Sequence, residues 1–123
     1  MKNNNNNNNN NNAKVTISTN KTLGEQSLKG STKDVKKVIR IASKLSGVSK
    51  KDLTSSDRLT ARTAMWRHII FYCLRSRGVT FAAMGKAMNR THSTALLGAQ
   101  RVAKEIEYSD DIKFGVTRLE ELI

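Results

Sequence analysis

The sequence predicts an all-α protein: a compact bundle of about five helices that contains a helix-turn-helix and follows a disordered leader. Three observations carry this. After residue 31 the apolar residues recur at three- and four-residue intervals, with no alternating strand pattern of useful length. The chain has no proline to break such stretches. A Ser, Thr or Gly stands wherever one periodic stretch gives way to the next. A chain of 123 residues has room for one modest domain.

The elements follow in order. Residues 3–12 are consecutive asparagines, which bring no apolar surface to offset the entropy of ordering. Asn-rich tracts self-associate in some chains, but a tolerated low-complexity leader is the simpler reading. Val15, Ile17, Leu23 and Leu28 are scattered among Lys, Ser, Thr and Gly. Residues 13–30 therefore read as a flexible linker with at most a strand-like piece over 15–19. The folded domain is expected over 31–123.

Ser31 or Thr32 caps a first helix, with Asp34 in its first turn, where a negative charge is favourable. Val35, Val38, Ile39, Ala42 and Leu45 form its stripe, and Lys36, Lys37, Arg40 and Lys44 read as a solvated face. Gly47, able to take positive φ, ends it. Residues 48–60 read as a connection. A second helix over about 63–75 buries Trp66, Ile69, Ile70, Cys73 and Leu74, and Gly78 follows its end. Thr80 caps a short helix over 81–88 with Phe81, Met84 and Met88 inward. Thr91 caps a longer one reaching about 108, with Ala95, Ala99, Val102, Ala103 and Ile106 on one stripe. Ser109 opens the last helix, whose stripe is Ile112, Val116, Leu119 and Leu122.

Charge narrows the function. Lys and Arg number 22 against 10 acids, a net +12, which suits a polyanionic partner. Residues 31–104 hold sixteen basic and three acidic residues, whereas 105–123 hold six acidic and two basic. The acidic end would repel phosphate and should point away from it. The single cysteine, Cys73, excludes an intramolecular disulfide and a multi-thiolate zinc site. His68 and His92 have no zinc spacing with it, and His68 reads as a structural histidine. The apolar run 69–74 is too short to span a membrane, and no apolar signal core follows Lys2. A cytoplasmic, nucleoid-associated protein is expected, without cofactor, metal or small-molecule substrate.

A short helix, a tight turn and a second helix with a polar start make a helix-turn-helix, whose second helix enters the major groove. The residues at that start are Asn89, Arg90, Thr91, His92, Ser93 and Thr94. Arg pairs with guanine, Ser and Thr bond several bases, and a Thr methyl packs on thymine. His92 beside Ser93 is no nucleophile–base pair, because adjacent helical residues diverge by about 100° and no acid lies near to orient the ring.

At these residues a resemblance appears. Asp52-Leu53, then Met84-Gly85-Lys86-Ala87-Met88-Asn89-Arg90-Thr91-His92-Ser93-Thr94-Ala95, resembles the C-terminal DNA-binding domain of the bacterial replication initiator DnaA, over about 35–106. The resemblance implies that His92, Ser93 and Thr94 touch bases and phosphate, that Arg90 is the motif arginine, and that Arg58 enters the adjacent minor groove, where A·T-rich DNA attracts it. It also places Arg62 and Arg67 near a basic segment opening the family's next helix. The chain departs from the family pattern in several places. Asn89 stands for two glycines, Thr91 for an aspartate and Ser93 for a threonine, Ala64-Met65-Trp66-Arg67 degrades an arginine-rich segment, and Asp57 interrupts the basic loop. Gly78 and Gly85-Lys86-Ala87 miss a phosphate-binding loop in both spacing and hydroxyl. Without an ATPase domain the chain is not expected to hydrolyse ATP or melt an origin.

The expectation is sequence-preferring binding to double-stranded DNA without catalysis, in replication control. The alternatives are a transcriptional regulator using the same surface, or a non-specific packing or virion-associated protein of bacterium or phage. Base contacts fall to Arg58, Arg90, Thr91, His92, Ser93 and Thr94. Phosphate contacts fall to Lys50, Lys51, Arg62, Arg67 and Arg101. A protein partner in a replication or transcription complex is compatible with this surface.

Overall fold

We describe the protein from a computed structural model, over residues 22–57 and 60–123 for the backbone and, for side chains, over the same residues from Asp34 on. Among the described residues there are six helices and no strand: α1 (Thr22–Ser46), α2 (Lys50–Leu53), α3 (Ala61–Ser76), α4 (Phe81–Ala87), α5 (His92–Glu105) and α6 (Asp110–Leu122). The all-α architecture agrees with the sequence. The asparagine tract and the strand-like piece lie outside the described residues.

Two stretches expected to be linker or connection are partly helical. α1 starts at Thr22 rather than near residue 31, so the later part of the supposed linker is helical. Glu25, Gln26 and Lys29 are good helix formers, and Gly24 and Gly30 each cost only about 1 kcal/mol. The connection after Gly47 contains the one-turn helix α2. Ser49 caps it, accepting from the Asp52 N–H at 3.0 Å, and fully buried Leu53 anchors it. One turn is too short to show a period, which is why the sequence reads as a loop there.

The remaining termini follow the expected chemistry. Thr60, Thr80, Thr91 and Ser109 each accept from a backbone N–H three residues on, capping α3, α4, α5 and α6. Gly47 (φ 76°) and Gly78 (φ 88°) take the left-handed conformation that ends α1 and α3.

α3 is the axis of the bundle and packs against every other helix. Trp66, Ile69, Ile70, Cys73 and Leu74 are buried as expected, and so is Phe71, at 1% exposure. Burial this complete also pushes the Cys73 thiol up to about 12, with Glu120 adding to the effect. α1 contributes Val35, Val38, Ile39 and Ala42, and α4 contributes Met84 and Met88. α5 contributes Ala95, Ala99 and Val102, while Ala103 faces solvent because α5 packs on α3 along a narrow seam. α5 ends at Glu105, short of residue 108. On α6 Ile112, Val116 and Leu119 are buried, but the terminal Leu122 is exposed.

α5 approaches α3 closely because Gly98 faces His68 and Phe71. A Cβ there would stand 2.7 Å from His68 Cδ2 and 2.9 Å from Phe71 Cδ2. Burial lowers the His68 pKa, and nearby Arg101 lowers it further. Gly98→Ala tests the seam by the sign of its effect. Helix propensity alone favours alanine by about 1 kcal/mol, whereas overpacking a buried ring costs about 1–3 kcal/mol. A lower urea midpoint is expected, and a higher one would show that the seam is loose.

Candidate nucleic-acid interface

α4 and α5 are joined by a turn of four residues, 88–91, built on two devices. Asn89 takes φ 57°, which Asn tolerates better than other side chains. The Arg90 N–H then reaches back to the Gly85 carbonyl at 2.8 Å, closing α4 with the long bond of a Schellman motif. Gly85 makes room for this. A Cβ there would lie 2.7 Å from the Arg90 carbonyl oxygen, a backbone atom that has no means of swinging aside. Short helix, tight turn and longer helix thus stand in helix-turn-helix order.

Thr91, His92, Ser93 and Thr94 are all exposed, whereas Ala95, the next residue, is fully buried. Thr91 is committed to the cap: its hydroxyl accepts from the Thr94 N–H at 3.1 Å and pairs with the Thr94 hydroxyl at 3.0 Å. His92 and Ser93 make no side-chain hydrogen bond within the described residues, so their polar atoms face solvent.

Arg90 differs from expectation. Its guanidinium is not held out for a base. It donates through Nη1 to the Ser56 carbonyl and through Nη2 to the Asp57 carbonyl at 3.1 Å. Asn89, to which no contact was assigned, donates from Nδ2 to the Thr54 carbonyl at 2.7 Å. The turn therefore grips the loop that follows α2. Arg58, the expected minor-groove arginine, lies just beyond that loop and outside the described residues.

Arg67 also differs, and more completely. It is 4% exposed and so is withdrawn from the phosphate contacts. Its Nε donates to the Leu53 carbonyl at 3.1 Å, and its Nη2 donates to the carbonyls of Asp52 at 2.6 Å and Ser55 at 3.1 Å. Burial lowers its pKa, the like charge of Arg90 lowers it further, and Asp52 and Asp57 act in the opposite sense. The sequence held a signal for this. Thr63, Arg67, Ile70 and Leu74 share one stripe of α3, and an arginine on a core stripe needs internal acceptors.

Arg62 is exposed but spends its Nε on the Ser46 carbonyl at 2.9 Å, closing the end of α1. Arg101 is paired with Glu105 at 3.1 Å, nine residues beyond His92 and so about 13 Å along α5. Lys50 and Lys51 are exposed on α2, beside the gripped loop. They are joined there by Lys36, Lys37 and Arg40 of α1, taken above for a solvated face, and by Lys86 of α4.

The described residues contain no group of three or more His, Cys, Asp or Glu placed to hold a metal ion, and no helix long and apolar enough to cross a membrane. No protein-family model matches the chain, and no curated protein matches it. Function is therefore read from the residues themselves.

Arg67→Met separates the two roles considered for this side chain. Charge-assisted hydrogen bonds contribute about 1.5–3 kcal/mol each, and three acceptors would be left behind. A loss of at least about 3 kcal/mol in chemical denaturation is expected. Full stability with altered binding to a polyanion would restore Arg67 to the contacts.

Proposed function

We propose that this chain binds double-stranded DNA with sequence preference and without catalysis, placing the start of α5 in the major groove. The observation that carries the reading is the protruding first turn of α5, where four exposed polar residues precede the buried stripe. A helix packed along its whole length would bury a residue three or four positions before Ala95. Here Thr91 and His92 occupy those positions, and both are exposed.

The geometry supports the following residue roles. His92 and Ser93 read base edges, because their side chains make no hydrogen bond among the described residues. Thr94 adds a methyl contact, and Thr91 presents the helix N-terminus to a phosphate. Lys50 and Lys51 neutralise phosphates, with Arg62 in support. Arg90 acts as a positioning residue for the loop that leads to Arg58. The resemblance to the DnaA domain supports replication control and a place on the nucleoid, in the cytoplasm of a bacterium or of a phage host. A transcriptional regulator would use the same surface, and mapping selected sites onto the genome distinguishes the two.

The test is binding-site selection from random duplexes with the full chain. A motif is expected, and His92→Ala should flatten it at one or two positions, at about 1–3 kcal/mol each. Lys51→Ala should instead weaken all duplexes alike and make the log-log salt slope shallower by about one. Tight binding with no selected motif would replace this reading with non-specific packing.

A further inference from the structure

Beside the gripped loop lies a groove of about 990 Å³ between α1, α2 and α4. Six cations line it: Lys36, Lys37 and Arg40 from α1, Lys50 and Lys51 from α2, and Lys86 from α4. All six are exposed, and among the described residues no acidic one lines the groove. None of the six forms an ion pair within the described residues, whose pairs are Arg77–Asp34, Arg101–Glu105 and Arg118–Glu121. Lys36 and Arg40 stand one turn apart on the same helix, a like-charge spacing that opposes folding. Three helices thus bring six cations together at a cost to the free protein, which a bound polyanion would offset.

We infer that this groove holds the sugar–phosphate backbone of DNA flanking the site read by α5, so that α1 is part of the interface. The inference rests on the duplex-binding reading above. Two features favour a nucleic-acid strand over an acidic protein segment. The first is continuity: Thr54 lines the groove, and its carbonyl is held at 2.7 Å by Asn89 of the turn before α5. A phosphate chain leaving the start of α5 therefore meets the groove next. The second is composition. The charged side chains are almost all lysine, which suits phosphates arrayed as point charges, and the half-buried Ala83 and exposed Ala87 offer apolar surface to the sugars.

The experiment uses the full chain and two duplexes that share one selected site, one with short flanks and one extended by a helical turn on each side. Wild type should bind the longer duplex more tightly. Lys36→Gln/Lys37→Gln/Arg40→Gln should lose most of that gain and make the salt slope on the longer duplex shallower by about 2.7, at about 0.9 per phosphate. The selected motif should stay the same. Lys86→Gln, on the opposite wall, should remove about 0.9 from the slope. Unchanged length dependence and slope in both variants, with DNA still bound, would overturn the groove while leaving base reading by α5 intact. A wild type that binds no duplex would overturn both readings. A poly-glutamate peptide serves as the competing probe: its binding to the DNA complex as tightly as to free protein would assign the groove to an acidic protein segment instead.

Discussion

Six consecutive backbone carbonyls, those of residues 52–57, accept hydrogen bonds from three side chains: Arg67, Asn89 and Arg90. The stretch leaves its helix after Leu53, and its carbonyls must find hydrogen-bond donors some other way. Arg67 supplies them from inside the bundle, and Asn89 and Arg90 supply them from the turn. Two cationic side chains are thereby held close together, and the Arg67 pKa is lowered by Arg90 as well as by burial. The carboxylates of Asp52 and Asp57 offset part of that repulsion. Asp57, an interruption of a basic loop when read in sequence, is a counter-charge to the clamp in the fold.

Because the same loop is tied to α3 on one side and to the α4–α5 turn on the other, hydrogen bonds link α2, the loop and the start of α5 to one another. The turn cannot relax alone, since Asn89 sits at positive φ and the Arg90 carbonyl lies close above Gly85. Side chains on rigid supports hold their geometry better than side chains on free loops. His92, Ser93, Lys50 and Lys51 are so supported, and the proposed division between base reading and phosphate contact depends on it.

Much of the fold was legible because the signals were local. Thr60, Thr80, Thr91 and Ser109 cap helices at the expected kind of residue, and Gly47 and Gly78 end them at positive φ. The stripe of α3 was legible as well, except for Phe71, whose burial requires neighbours on several sides of the helix, and for Arg67, whose carbonyl partners lie in the loop after α2. What escaped was either too short to have a period, as with α2, or dependent on contacts distant in sequence. The Arg90 bonds to Ser56 and Asp57 cross more than thirty residues. An arginine at a helix-turn-helix start looks the same in sequence whether it faces a guanine or a loop carbonyl. The exposure of Thr91–Thr94 was the readable part of the site, and the convergence of α1 with α2 and α4 was not.

The distribution of charge gives the surface its direction. α6, with Asp110, Asp111, Glu120 and Glu121, packs against α1 and α3, whereas α4 packs against α5, α1 and α3. The acidic helix is therefore held by the core helices, and the groove cations gather where α1, α2 and α4 meet. α1 belongs to both arrangements: one face is buried against α3 and α6, and its lysine face opens on the groove. A free protein gains nothing from such segregation, since like charges in one groove repel and interspersed signs would be more stable. Segregation is useful when a polyanion must be met in one orientation, attracted by one surface and repelled by another. Under the proposed function, sidedness of that kind would favour docking in a fixed pose over condensation.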